Sequence, residues 1–118
     1  KVCRKCARER EFNDYEKEIM TKIAQKYAKT IDFTGKKTFD IVGCDECNYT
    51  GYFDRIAIFE ILIITEKIRE MIVKNASSLE IRNEALKGDF NPLVIDGLNK
   101  VLNGYTTLEE LNDKLVIY

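Results

Sequence analysis

The sequence predicts a mainly helical α+β fold, in which a small four-cysteine subdomain with a short two-stranded antiparallel sheet precedes a bundle of three to four short helices. Three observations predict this fold. Helix-capping sequences followed by apolar residues at helical spacing recur along the chain. Two runs, residues 38–42 and 52–62, are rich in β-branched and aromatic residues. The four cysteines form two Cys-x-x-Cys pairs.

The composition is that of an ordinary soluble globular protein of about one domain. The 118 residues are 45% hydrophobic and 33% charged, which allows a core of modest size. Nineteen lysines and arginines against twenty aspartates and glutamates give a net charge of −1, so we expect no attraction of the whole domain to nucleic acid. No signal peptide and no apolar run of membrane-spanning length is visible, although a leader before Lys1 could have been cut away. We therefore expect no transmembrane segment.

The first helix is predicted over residues 14–29. Asn13 and Glu16 have the spacing of a capping box, in which each side chain accepts a hydrogen bond from a backbone N–H group at the helix start. Apolar side chains then recur at every fourth position, as one face of a helix requires. These are Tyr15, Ile19, Ile23 and Tyr27.

The sheet is predicted from two runs with strand character. Gly35 marks a turn, and residues 38–42 then alternate well enough for a short strand. Residues 52–62 lack a helical period and are dense in strand-forming side chains. We expect the two runs to pair beside the cysteines, with helices packed against them, because an isolated two-stranded sheet is only marginally stable.

Capping sequences divide the second half of the chain into three or four short helices. They occur at Thr65, Ser77, Asn91-Pro92 and Thr107. Gly88 and Gly104 supply two of the stops. The chain is therefore predicted to divide into a cysteine-bearing part, residues 1–62, and a helical part, residues 63–118.

The cysteine spacing predicts a metal site. Cys3-Arg-Lys-Cys6, the first knuckle, and Cys44-Asp-Glu-Cys47, the second knuckle, hold all the cysteines of the chain. Each pair presents two thiolates on one tight turn, and two such turns complete a tetrahedral site with metal–sulfur bonds of about 2.3 Å. We predict that Cys3, Cys6, Cys44 and Cys47 bind one structural Zn²⁺ per chain. Zinc is preferred to iron because it is the commoner ion in such sites.

Other interpretations of the cysteines remain open, namely a dithiol redox centre, two disulfides or four unrelated thiols. A redox centre needs only one pair, usually with its reactive thiol at a helix N-terminus, and neither pair here clearly opens a helix. Disulfides require an oxidising compartment. Four thiolates on Zn²⁺ leave a net charge of about −2, so Asp45 and Glu46 are expected to point outward.

No catalytic residue is predicted in this chain. It has no histidine, no GxxxxGK[ST] phosphate loop and no serine or cysteine nucleophile beside a base. A metal saturated by four thiolates also has no open coordination position for hydrolytic chemistry.

From the first knuckle almost to its end, the chain resembles the C-terminal portion of the ATPases of type IV pilus assembly and type II secretion. Five segments carry the resemblance besides the first knuckle. The first two are residues 43–52, which end the tetracysteine motif in Thr-Gly-Tyr, and residues 55–62, Arg-Ile-Ala-Ile-Phe-Glu-Ile-Leu. The other three are Ile68-Arg69, residues 96–101 and residues 104–110. Asp54 stands where the family usually has glycine, which suggests a local turn without positive φ.

The resemblance implies a non-catalytic, zinc-bearing C-terminal domain of a hexameric cytoplasmic motor. The ATP- and Mg²⁺-binding motifs of the family lie upstream of the tetracysteine region, so this piece alone is not expected to hydrolyse ATP. The implied partners are the rest of the ATPase chain, the neighbouring subunits and an inner-membrane platform protein, at the cytoplasmic face of the membrane.

Two alternative functions remain. A stand-alone zinc adaptor would bind protein or nucleic acid through residues 1–10, which hold Lys1, Arg4, Lys5, Arg8 and Arg10. A thiol oxidoreductase would use one of the cysteine pairs. An upstream GxxxxGK[ST] sequence in the parent gene would favour the motor.

Overall fold

The computed structural model describes residues 1–88 and 90–115, and the architecture is the mainly helical α+β fold that the sequence predicts. Within these residues lie two short strands and five α-helices. The strands are β1 (Arg8–Arg10) and β2 (Thr38–Asp40), and the helices are α1 (Asp14–Gln25), α2 (Glu66–Val73), α3 (Ser78–Leu86), α4 (Leu93–Leu102) and α5 (Leu108–Leu115). No helix in the described ranges is long and apolar enough to cross a membrane.

Helix α1 begins where the sequence predicts but ends at Gln25 rather than at residue 29. The Asn13 side chain accepts from the Glu16 N–H at 2.8 Å, and the Glu16 carboxylate accepts from the Asn13 N–H at 3.0 Å, which confirms the capping box. The helix ends because Ala28 has a φ of 57° and the N–H of the next residue turns back to the carbonyl of Ala24. The apolar spacing continues through this turn, so the pattern alone could not locate the end.

The predicted two-stranded antiparallel sheet is present, but the predicted pairing was wrong. Strand β2 pairs with β1, with Arg8 opposite Asp40 and Arg10 opposite Thr38. β1 has no apolar alternation to signal a strand, because its three residues are Arg-Glu-Arg. Arg10 Nε donates to the Asp40 carboxylate at 2.7 Å, so a cross-strand ion pair stands where apolar contacts were expected.

The second predicted strand, residues 52–62, is also corrected by the structure. Only Tyr52 pairs, in an isolated bridge to the N-terminal segment. Asp54 has a φ of 68°, contrary to the expectation of a turn without positive φ, and it interrupts the extended path. Beyond it, the Phe59 N–H donates to the Asp96 carboxylate of α4 at 2.8 Å instead of to a neighbouring strand. Strand propensity therefore predicted a pairing that the described residues do not supply.

The four helices of the second half confirm the predicted helix count. Three predicted cap side chains each accept the N–H three residues further on, and these are Thr65, Ser77 and Thr107. The fourth start differs by one residue, because Pro92 is the N-cap of α4 instead of its first helical residue.

One hydrophobic core joins the two halves of the chain. α1 contributes Met20, Ile23 and Ala24, α4 contributes Ile95, Leu98 and Val101, α5 contributes Leu108 and Leu111, and Phe12 precedes α1. Gly97 lets α5 approach α4 closely, since a Cβ there would lie 2.5 Å from Leu111 Cδ1. The core thus holds the first half against α4 and α5, while the predicted division at residue 62 stays a prediction.

Candidate metal centre

The four cysteine sulfurs lie within 4.8 Å of one another. The Sγ atoms of Cys3 and Cys44 are 3.8 Å apart, those of Cys44 and Cys47 are 3.8 Å apart, and those of Cys6 and Cys47 are 3.9 Å apart. Ligand bonds of about 2.3 Å in a regular tetrahedron place neighbouring sulfurs about 3.8 Å apart. The structure therefore brings the predicted ligands together with the spacing of a tetrahedral site, and metal binding itself stays a prediction.

None of the four cysteines forms a disulfide. The separations of their sulfurs are nearly twice the disulfide bond length of about 2.05 Å. Cys3 and Cys47 are only 2% and 3% exposed, which is unlike the accessible thiol of a redox centre. The geometry thus favours the metal interpretation over the disulfide and redox interpretations.

A single turn of 3-10 helix, Asp45–Cys47, presents the second knuckle. The backbone N–H groups of Cys44 and Gly51 both donate to Cys47 Sγ at 3.2 Å. Asn48 follows the turn with a left-handed φ of 55°, which reverses the chain towards Gly51. Backbone donors of this kind orient a metal-binding thiolate and offset its charge.

Two glycines allow the backbone to fold tightly around the second knuckle. Gly51 has a φ of +82°, and a Cβ there would lie 1.9 Å from Ile41 Cγ2. Gly43 has a φ of +103°, and a Cβ there would lie 3.0 Å from the Tyr49 carbonyl oxygen. Both positions need glycine for conformation, and Gly51 also needs it for space.

Hydrogen bonding separates the acidities of two thiols. Burial opposes ionisation of Cys47, but N–H donors from Cys44 and Gly51, together with neighbouring thiols, lower its pKa from 9.0 to about 6. Burial raises the pKa of Cys6 to about 12, against the effect of an N–H donor from Gly43. Since the thiolate is the metal-binding form, the backbone donors favour that form at Cys47.

The first knuckle is attached to the turn between α4 and α5. The Val2 N–H donates to the Tyr105 carbonyl at 2.8 Å. The Arg4 guanidinium donates to the Gly104 carbonyl at 2.9 Å, and its centre lies 5.1 Å from the Phe39 ring centroid. Arg4 therefore links the knuckle, β2 and the end of α4, a role that the sequence, which suggested a solvated cation, did not reveal.

The second knuckle is attached to α5 through Tyr52. Its hydroxyl lies 2.8 Å from the hydroxyl of Thr107, which also accepts the Glu110 N–H as the cap of α5. The capping pattern of the sequence predicts the contact between Thr107 and the Glu110 N–H, because these residues are three positions apart. The contact between Tyr52 and Thr107 joins residues 55 positions apart, and no sequence signal identifies it.

Nearly the whole chain matches one protein family. Residues 1–113 match the family described as type II/IV secretion system protein. The chain belongs to this family. The resemblance drawn from the cysteine pairs and the downstream segments is thereby confirmed.

Curated relatives of this type II/IV secretion family include both pilus and secretion proteins. The chain is 37% identical over 73 residues to the type IV pilus assembly ATPase PilB of Myxococcus xanthus, which covers 62% of this chain and 13% of that protein. It is 40% identical over 80 residues to PilB of Thermus thermophilus, covering 68% of this chain and 9% of that protein. It is 45% identical over 71 residues to type II secretion system protein E of Aeromonas hydrophila, which covers 59% of this chain and 14% of that protein. The chain thus spans only 9 to 14% of the length of these relatives.

Two acidic residues of the segments that resemble this secretion family hold an extended stretch on α4. The Asp96 carboxylate accepts from the Phe59 N–H at 2.8 Å, and the Glu60 carboxylate accepts from the Leu93 N–H at 3.2 Å. Glu60 thereby supplies an N–H partner at the start of α4, whose N-cap Pro92 makes no side-chain cap bond.

The basic residues near the first knuckle are mostly engaged within the fold. The Arg10 guanidinium donates to the Glu16 carboxylate at 2.7 and 2.9 Å and to the Asp40 carboxylate of β2. These hydrogen bonds raise the pKa of Arg10. Lys5 lies 3.8 Å from the exposed Glu46 carboxylate, a pair of little energetic weight. With Arg4 bonded to Gly104, three of the five cations in residues 1–10 have partners in this chain.

Proposed function

We propose that this chain is the structural, zinc-bearing C-terminal part of a type IV pilus assembly or type II secretion ATPase. The single observation that carries the proposal is the cluster of four sulfurs at tetrahedral spacing in a chain of this family. Cys3, Cys6, Cys44 and Cys47 would hold the ion. Bound zinc would cross-link the N-terminal segment to the second knuckle, without an open position for a substrate.

The energetic role of the site follows from its connections. Structural zinc binding is worth about 10 kcal/mol or more in small zinc-finger peptides, comparable to the whole stability of a small domain. Both knuckles reach α5 or the turn before it, through Tyr52 and Arg4. Metal binding at the four cysteines would therefore stabilise the packing of the first half of the chain against α4 and α5. Removal of the metal would destabilise residues 1–62 more than residues 63–118.

The larger machine is inferred from the family. Several relatives are named as ATPases of pilus assembly. The resemblance implies that the nucleotide-binding motifs of the parent protein lie upstream of the cysteines. In this proposal the parent protein is a cytoplasmic hexamer that binds ATP and Mg²⁺ and acts on an inner-membrane platform protein. The present chain contributes stability and contacts with the rest of the ATPase, and it has no activity alone.

Metal analysis tests the site directly. The purified chain is expected to contain about one zinc per chain and to be colourless, since iron in a Cys₄ site would give colour. Cys6→Ser is expected to lower the zinc content, whereas Glu46→Gln, at an exposed position within the second knuckle that is not a ligand, should leave it unchanged. A chelator should lower the melting temperature of the wild-type chain strongly. Metal-free protein with an unaltered melting curve would disprove the structural-zinc proposal.

The adaptor alternative predicts salt-sensitive binding of nucleic acid through residues 1–10. We expect none, because the net charge is −1 and most of the local cations already have partners. A fluorescence titration with DNA and RNA oligonucleotides at low and high salt checks this. Tight binding that weakens with salt would instead support the adaptor.

A further inference from the structure

Residues 55–64, termed the exposed strip, leave several large apolar side chains in contact with solvent. The exposed members are Phe59, Ile61, Leu62, Ile63 and Ile64. Ile56 and Ile58 are partly buried, and Ile58 packs against the core. Burial therefore alternates with a period of two over residues 56–59, which is the spacing of an extended strand. A contiguous apolar surface of this kind marks an interaction site.

The backbone of the exposed strip makes few hydrogen bonds. The Arg55 N–H donates to Oδ1 of its neighbour Asp54, and the Phe59 N–H donates to the Asp96 carboxylate, so the Phe59 side of the strip faces α4. Among the described residues, the backbone N–H groups of residues 56–58 and 60–64 donate no hydrogen bond, and those of residues 56, 58, 60 and 62 lie on the side away from Phe59. Such a row of free donors on an extended, β-branched segment is the edge that a further strand pairs with.

The side of the strip away from α4 faces the start of the chain. The α-amino group of Lys1 donates to the Asp54 carbonyl at 3.2 Å. In an extended chain, the N–H and C=O groups of alternate residues point the same way. The even-numbered residues from 56 onward therefore present their backbone groups on the Lys1 side, and Phe59 presents its own on the α4 side.

The first three residues already run antiparallel to the segment before the strip. Val2 forms the bridge with Tyr52, the Cys3 N–H donates to the Gly51 carbonyl at 2.9 Å, and the Phe53 N–H donates to the Lys1 carbonyl at 2.9 Å. Phe53 and Asp54 both bond to Lys1, so two residues oppose one, as in a β-bulge. Polypeptide continuing N-terminally from Lys1 in this direction would run beside the strip. A cleft lined by Lys1, Arg55, Ile56 and Ile58, among others, lies at that point.

We propose that the exposed strip is a docking edge for an antiparallel β-strand, and that this strand is the polypeptide immediately N-terminal to Lys1 in the full-length protein. The chain covers only 13% of a relative such as the Myxococcus protein, so the family provides polypeptide beyond the matched region. Strand addition supplies partners for the free backbone groups, and apolar side chains on the incoming strand cover the exposed ones. A second copy of the chain is the weaker occupant, because the covalent continuation at Lys1 is already adjacent and correctly oriented.

Amide hydrogen exchange tests this proposal in two proteins. One is the 118-residue chain. The other is the same chain extended at its N-terminus by the preceding residues that its own gene encodes; about ten are needed, because each residue of the strip pairs with one residue of the added strand. The amides of residues 56, 58, 60 and 62 are expected to exchange at least roughly tenfold more slowly in the extended protein. Zinc content is measured in both, so that failure of this proposal is distinguished from failure of the proposed metal site.

Two proline variants of the extended protein supply a matched control. Leu62→Pro removes an N–H on the Lys1 side, and Ile63→Pro removes the next one, which faces the other way. Both side chains are exposed, so neither change empties the core. We expect Leu62→Pro to abolish the slowed exchange at residues 58 and 60, and Ile63→Pro to preserve most of it.

Two results would overturn the proposal. The first is equally fast exchange of the strip amides in both proteins. The second is slow exchange in the 118-residue chain that depends on protein concentration, which would assign the edge to a second copy instead.

Discussion

Replacement of Gly51 by alanine would test how the second knuckle is built. Gly51 has a φ of +82°, its N–H donates to Cys47 Sγ, and its Cα faces the side chain of Ile41. Alanine at this position must adopt a left-handed conformation and place a methyl group 1.9 Å from Ile41 Cγ2. The two groups cannot coexist without movement of the knuckle or of Ile41.

The expected loss of stability combines two effects. The left-handed conformation costs a non-glycine residue about 1–2 kcal/mol. Overpacking of a single methyl group costs a further 1–3 kcal/mol, roughly. The sum of about 2–5 kcal/mol is a large fraction of the 5–15 kcal/mol that stabilises a typical domain. Displacement of the Gly51 N–H from Cys47 should also weaken metal binding, by about 10- to 100-fold if it behaves as other partners of metal ligands do.

Urea denaturation of the zinc-loaded protein measures the first effect, and competition with a chromophoric chelator measures the second. Gly35→Ala is the matched control, because Gly35 has a similar φ of +72° but no atom within 4 Å of an added Cβ. It should show only the conformational cost. In a double-mutant cycle, Ile41→Ala removes the colliding atom, so it should recover about 1–3 kcal/mol of the Gly51→Ala loss.

One result would refute this reasoning. If Gly51→Ala destabilises the chain no more than Gly35→Ala, and Ile41→Ala shows no coupling to it, then the close approach at Gly51 does not govern the knuckle. Unchanged zinc affinity in the same variant would further show that the Gly51 N–H does not support the Cys47 thiolate.

Three further predictions concern contacts outside the cysteine cluster. Hydrogen bonds from Arg10, opposed by burial, lower the pKa of Glu16 below its ordinary 4.5. The contribution of Glu16 to the free energy of unfolding is therefore present above pH 4.5 and is lost as the pH falls through the lowered pKa. The urea midpoint of the wild-type chain should decline over this pH range, and it should decline less in Glu16→Gln. Tyr52→Phe removes the hydroxyl contact with Thr107 and should cost about 0.5–1.5 kcal/mol in urea denaturation, whereas no loss would mean that the contact does not attach the second knuckle to α5. Asp96→Ala should speed exchange of the strip amide that donates to it, and unchanged exchange would show that the strip is held on α4 by other contacts.

The features that sequence predicted well depend on residues close together in the chain. A capping box needs only Asn13 and Glu16, three positions apart, and the structure contains it. Each cysteine pair is likewise local, so the spacing predicted two turns that could each present two ligands to a metal, and the structure brings these two turns together. The four sulfurs then converge across residues 7–43, a closure that the metal hypothesis required.

The features that the sequence did not predict depend on contacts between segments that are distant in the chain. β1 is three charged residues with no alternation, and it is a strand because its backbone pairs with β2, with Arg8 opposite Asp40 and Arg10 opposite Thr38. The second predicted strand has strong β propensity, but propensity describes one segment and not its partner. Asp54 shows the same limit at a single residue, because its departure from the family's glycine suggested ordinary φ, and aspartate adopts the left-handed conformation there.

The first knuckle is joined to the helical core at the turn between α4 and α5, through Val2 and Arg4. Closing a loop as long as the one between the knuckles costs about 3 kcal/mol of chain entropy. The loop has contacts of its own that oppose this cost, because β1 pairs with β2 and Met20, Ile23 and Ala24 of α1 are buried in the core. Burial of a side chain such as Met20 or Ile23 contributes about 1.5–3 kcal/mol, so these contacts are comparable with the closure cost, and ligation of the sulfurs would add to them. In the proposed function, a metal site without catalytic chemistry would therefore strengthen the attachment of the first half of the chain to the core.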